Sequence, residues 1–184
     1  ITNYPDGQVE YLNVANHPQD ESLGVRKVPF SNEVYIDQND FREEAPRKFK
    51  RLISGGEVRL RNAYVIRCDE VVKDTNGEII ELHCSYDPTT LGANPEGRKV
   101  NGVIHWVSAK FGKRAEVRLY DRLFTQPRPD VAGEGVDYRD YLNPDSLLTL
   151  TECIVEPALT EAAPGECFQF EREGYFCVDI KLST

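Results

Sequence analysis

Methionine is absent from this sequence, tryptophan occurs once and histidine three times. Lacking a Met at its first position, the sequence reads as a piece cut from a longer chain. His17, His83 and His105 are far apart and form no HxH or HExxH spacing, which argues against a histidine-based metal or catalytic cluster. None of the five cysteines, Cys68, Cys84, Cys153, Cys167 and Cys177, stands in a CxxC pair. Zinc or a disulfide framework needs tighter grouping, so buried, reduced thiols in a cytoplasmic protein are the expectation. There is no GxSxG, no GxxxxGK[ST] and no GxGxxG after a strand, so nothing builds a nucleophile elbow or a phosphate cradle. No apolar run approaches the roughly 20 residues of a membrane span, and ITNYPDGQVEY is neither a signal nor a transit peptide. No long segment keeps a 3.6-residue apolar period, which excludes a helical architecture.

What is there is short alternation. Among 184 residues, 40% are hydrophobic and 29% charged, enough for one sizeable core or two small ones. Residues 8–14, 24–30 and 33–37 are rich in Val and Tyr and bounded by Gly, Pro, Asn and Asp, which is strand and turn punctuation. Asn39-Asp40 offers a cap for a brief helical turn over 41–45, stopped by Pro46. A long strand is expected over 57–72, returning through Asp74-Thr75-Asn76-Gly77 to a strand over 78–86. Residues 87–102, rich in Pro, Gly and Asn, read as a connector. Further strands are expected at 103–109, 115–124 and 146–155, and a hairpin over 166–180 turning near Glu173-Gly174. Trp106, beside Ile104, reads as core. The sum is an all-β chain, most simply one or two small closed barrels.

Charge is unevenly placed. The segment from Phe41 to Arg67 holds eight Lys/Arg against three acidic residues, whereas the remainder holds 14 basic against 28 acidic groups and the chain nets −9. Such a distribution fits nucleic-acid binding through one basic face on a repulsive body. Strand alternation puts Arg59, Arg61 and Arg67 on one face and Val58, Leu60, Tyr64 and Ile66 on the other, with Arg59 and Arg61 roughly 7 Å apart. Arg47-Lys48-Phe49-Lys50-Arg51 sets an aromatic among four cations, which suits unstacked bases. A solvated basic hairpin balancing an acidic domain is the competing reading. In Phe168-Gln169-Phe170-Glu171-Arg172, Gln169 and Glu171 share a face. The Gln amide both donates and accepts, the Glu carboxylate accepts, and the Arg fork suits guanine or phosphate. Plain exposed polar residues on an edge hairpin remain the alternative.

The stretches DFREEAPRKFKRLISGGEVRLRNAYVI, GRKVNGVIHWVSA, AEVRLYDRLF and FQFEREGYFCVD together resemble the C-terminal anticodon-binding region of glutaminyl-tRNA synthetase. The likeness runs from about Asn16 to the end. Non-bacterial glutamyl-tRNA synthetases share a GVIHWVS-like strand but not the FQFEREGYF wording. A stand-alone L25-like protein binding rRNA is a further alternative. The resemblance implies two six-stranded antiparallel barrels of the ribosomal protein L25 type. We expect them over 1–88, carrying the basic loop 46–61, and over 103–184, with the connector near 87–102 and more than one crossing. It implies that the anticodon bases are splayed into separate pockets and read on their edges. Residue by residue, Lys50 and Arg51 match the basic loop pair, with Arg51 toward guanine at the third position. Arg59 and Arg61 match the strand arginines near the first base and its phosphates, and Gln169, Glu171 and Arg172 those lining the pockets of the central uracil and its neighbours. Lys48 departs, standing where an aligned relative carries Gln, and suits a phosphate. Expected partners are glutamine tRNA and a catalytic domain of the same chain, in a cytoplasmic monomer without membrane contact. The family's nucleotide-binding motifs are absent, so no catalytic residue, metal or cofactor is expected here. ATP and Mg²⁺ belong to the full-length enzyme.

Overall fold

A computed structural model describes residues 1–100, 102–131 and 135–182. Its regular elements are strands and 3₁₀ turns: β1 (Glu10–Ala15), β2 (Val25–Phe30), β3 (Val34–Tyr35), β4 (Phe41–Arg42), β5 (Leu52–Ile53), β6 (Glu57–Leu60) and β7 (Val65–Lys73). There follow β8 (Ile79–Asp87), β9 (Val103–Ile104), β10 (Val107–Ser108), β11 (Lys113–Tyr120), β12 (Leu147–Val155), β13 (Cys167–Phe170) and β14 (Gly174–Cys177). The chain is all-β. Its ladders are small and open: a four-stranded sheet in the order β8-β7-β6-β9, and two-stranded pairs β1-β2, β10-β3, β11-β12, β13-β14 and β4-β5.

Three expectations about local structure are corrected, one of them the strand read over 103–109, which is two short strands, β9 and β10, broken at His105-Trp106. The strand expected over 57–72 is two strands, because the chain turns at 61–64: Ala63 N donates to the Leu60 carbonyl at 2.9 Å, and Asn62 sits at φ +56°. Asn tolerates that left-handed geometry better than most residues. The helical turn expected over 41–45 instead covers Gln38–Asp40, capped by the Asp37 side chain on Asn39 N, and Phe41–Arg42 runs extended against β5. Pro46 closes a separate turn, its carbonyl accepting from Phe49 N. The hairpin at 74–77 forms as read, with Asp74 Oδ1 accepting from the backbone of Asn76 and Glu78.

By compactness the chain divides into two units, residues 1–112 with 156–184 and residues 113–155. Residues 87–102 thus lie inside the first unit, because β9 and β10 return to pair with β6 and β3. The first unit's core centres on Phe30, fully buried, whose ring meets those of Tyr4, Tyr64 and Trp106 at 5.1–5.3 Å. Leu52, Val58, Leu60 and Ile104 close around it. Burying several such side chains at about 1.5–3 kcal/mol each is what holds these short ladders in place. The second unit is the β11-β12 ribbon with its connecting loop, in which Phe124 bridges to Leu142 and its ring meets Tyr138 at 6.2 Å. None of its described residues is buried.

The thiols divide. Cys68 and Cys84 face each other across β7 and β8, buried and reduced, and Cys153 is also free. Cys167 and Cys177 form a disulfide, against the expectation of reduced thiols throughout. Ten residues separate them in sequence, but the β13-β14 register sets them directly opposite. Among the described residues, no helix is long and apolar enough to cross a membrane.

Candidate nucleic-acid interface

Arg51 precedes β5, whose Leu52 is fully buried, so the end of the basic loop is tied to the core. Its Nη1 donates to the Asn39 carbonyl at 2.9 Å, and its Nε lies 3.2 Å from Asp40 Oδ1. Arg172, in the turn between β13 and β14, reaches the same carboxylate: Nη1 to Oδ1 at 2.7 Å and Nη2 to Oδ2 at 2.5 Å. One residue earlier, Glu171 pairs with Arg61 in the turn after β6. Arg51, Asp40, Arg172, Glu171 and Arg61 therefore form one continuous chain of charges. It joins the basic loop, the β6-β7 turn and the C-terminal hairpin within the first unit. Charge-assisted, forked pairs of this kind fix orientation as well as energy.

The Arg61 backbone is held on both sides. Its N–H donates to the Ile104 carbonyl at 2.9 Å, and its carbonyl accepts from the Trp106 indole at 2.9 Å. Trp106 is core, as expected, and also pins this turn. Gln169 lies on the face of β13 that Glu171 continues, opposite Tyr175, with no side-chain hydrogen bond among the described residues. Tyr175 is 80% exposed, while Phe170 and Phe176 stack on the other face at 4.6 Å. In the loop, two guanidiniums lie over the Phe49 ring, Arg42 at 5.2 Å and Arg51 at 6.0 Å from its centre. Lys48 and Lys50 are exposed and make no ion pair among the described residues.

Arg59 goes elsewhere. Its guanidinium donates to the carbonyls of Ala63 at 2.9 Å, Thr90 at 2.7 Å and Ala93, clamping the 88–93 loop onto the β6-β7 turn. Thr90 completes the clamp, accepting from Val65 N and donating to the Asp87 carbonyl. Arg59 and Arg61, expected side by side, thus serve different partners. Arg59 instead borders an open groove of about 720 Å³, lined also by Tyr11, Asn13, Asn62 and Leu91. Beside that groove, Glu10 accepts from the hydroxyls of Tyr4 at 2.6 Å and Tyr64 at 2.7 Å. Burial pushes the Glu10 carboxyl up, but those hydroxyls and the Gln8 amide outweigh it and leave it below its ordinary value. Both tyrosine hydroxyls are pushed well up, first by burial and then by the Glu10 carboxylate.

Family models described as the anticodon-binding domain of class I tRNA synthetases (E and Q) match residues 1–87 and 103–179. The chain belongs to this family. Among curated relatives, glutamine–tRNA ligases of Pseudomonas syringae pv. tomato and Pseudomonas putida are each 60% identical over 183 residues. The match covers 100% of this chain and 32% of each relative. The ligase of Azotobacter vinelandii is 58% identical, with 33% of its length covered. The chain spans about a third of the curated relatives it matches.

For an anticodon-binding domain of this family, the structure adds residues that sequence reasoning passed over. Asp40 read as a cap residue and is the buried hub of two arginines. His105, set aside as no metal or catalytic ligand, is half-buried within the fields of Glu156, Glu171, Arg172 and Arg61. Arg42 and Tyr175 gave no signal beyond their type.

Proposed function

We propose that this chain reads the anticodon of glutamine tRNA as part of a glutamine–tRNA ligase. The supporting observation is that two ion-pair sets meet at adjacent residues of the closing hairpin, Arg172 with Asp40, which Arg51 of the basic loop also meets, and Glu171 with Arg61 of the β6-β7 turn, in a domain family described as anticodon-binding. In this reading Arg51 takes guanine at the third position. Gln169, Glu171 and Arg172 serve the central uracil, and Arg61 serves the first base and its phosphate. Lys48 and Lys50 take phosphates. Arg59 shapes the groove beside the first base through the loop it clamps. Glu171 and Arg61 are both accessible enough to exchange their mutual contact for base or phosphate contacts. The two family matches, broken at 88–102, support two β modules of the L25 type. Aminoacylation with ATP and Mg²⁺ is assigned to the remainder of a monomeric, cytoplasmic enzyme.

The test is a binding titration of the full-length enzyme against glutamine tRNA and an anticodon-swapped version over a range of salt. Arg51→Ala and Gln169→Ala are expected to lose about 1–3 kcal/mol with relaxed base choice. Lys48→Ala is expected to lose affinity uniformly and flatten the salt slope by about one. Equal wild-type binding of both tRNAs overturns the reading in favour of structured-RNA binding. Preference for a glutamate anticodon assigns the chain to the glutamyl branch.

A further inference from the structure

Asp40 is 1% exposed, so its carboxylate cannot reach a bound RNA. Among the described residues, two guanidiniums from 11 and 132 residues downstream meet its oxygens: Arg172 donates to both, and Arg51 forms an ion pair at 3.2 Å with Oδ1. Their own side chains remain about a third exposed, 36% for Arg51 and 33% for Arg172, so each presents outward donors while its inner edge is fixed. Arg172 is held in this way although its backbone sits at φ +67°, a conformation unfavourable for a non-glycine L-residue and retained where surroundings impose it. A buried carboxylate needs both hydrogen bonding and a counter-charge to be tolerated; among the described residues Arg172 supplies the hydrogen bonds and both arginines the counter-charge.

We propose that Asp40 is a positioning residue that ties Arg51 to Arg172, so that the two read their bases as a coupled pair while part of their charge is withheld from nonspecific RNA. The inference rests on the anticodon reading above and deepens it. Two guanidiniums sharing one carboxylate carry a net charge of +1 and fixed planes. Displacing one, by a wrong base, alters the oxygen on which the other leans. Without the carboxylate the same face carries +2 on two untethered side chains, which favours phosphate attraction over edge recognition.

The experiment uses the full-length enzyme and four tRNAs: glutamine tRNA, versions swapped at the second or the third anticodon base, and the double swap. For Asp40→Asn, discrimination against each single swap is expected to fall about tenfold or more. The salt slope should steepen by about one and affinity for the double swap should rise. In wild type, the penalty of the double swap should differ from the product of the two single penalties, and the variant should restore simple multiplication. Should Asp40→Asn fail to fold, Arg172→Lys keeps the charge but loses the fork. It is expected to weaken discrimination at Arg51's base as well as its own. An Asp40→Asn enzyme that folds and discriminates like wild type, or an Arg172→Lys effect confined to one base, overturns the inference. A wild type blind to all swaps overturns the anticodon reading itself.

Discussion

At the scale of single residues, the interface is built from side chains that satisfy one another before any ligand arrives, and this shapes how they respond to pH. His105 is the clearest case. Burial pushes its imidazole below the ordinary value of about 6.5, with Glu156 and Glu171 pulling it up and Arg172 and Arg61 pushing it down. A depressed folded-state value means that the neutral ring's contribution to stability is whole above about pH 6.5 and is lost as pH falls through the folded value. Thermal melts at pH 7.5 and 5.5 should show a smaller acid-induced drop in Tm for His105→Gln than for wild type. An equal drop contradicts the assignment. His83 acts in the opposite sense: Glu81 and Glu70 raise it, so its contribution is present at low pH and fades as pH rises. His83→Gln should therefore not reproduce the effect.

At the scale of elements, the basic loop is positioned by a close backbone approach. A Cβ built at Gly102 meets the Lys50 carbonyl oxygen at 2.1 Å and Val58 Cγ2 at 3.1 Å, and the Gly102 carbonyl accepts from Arg59 N. Backbone cannot yield as a flexible side-chain tip can. Gly102→Ala is therefore expected to shift the Lys50-Arg51 backbone. If Arg51 reads the third anticodon base as proposed above, discrimination there should relax about tenfold or more while the salt slope stays within experimental error. Unchanged discrimination in a folded variant would show that the loop adjusts freely.

The same scale shows what the sequence made legible. The 74–77 hairpin was readable because Asp and Gly at those positions have one common use, and Trp106 as core because it alternates with Ile104, although the strand read over 103–109 breaks at His105-Trp106 into β9 and β10. The break at 61–64 was hidden because alternation continues through it from Val58 to Ile66. Only Asn62 marked the turn. The Cys167–Cys177 disulfide followed from hairpin register, which spacing in the chain does not reveal. Asp40 was invisible as a hub because its partners lie in segments that only tertiary structure brings together, whereas the charge cluster around Arg51 showed in composition alone.

For the whole molecule, burial is one-sided. Every buried residue among those described lies between Tyr4 and Ser108, and the described part of 113–155 has none. A two-stranded ribbon without a core is marginal by itself, since ladder hydrogen bonds alone contribute little net free energy. Hydrogen exchange should accordingly be fast across β11 and β12 and slow across β7, with protection differing by orders of magnitude at neutral pH. Comparable protection in both would refute this account of where stability resides.

The chain's one indole, packed 5.1 Å from Phe30 and bonded to the carbonyl of Arg61, has a practical side. Within this chain it is a native optical gauge: emission from a single position, one hydrogen bond from the turn proposed to meet the nucleic acid, is expected to change on docking there without attaching a dye.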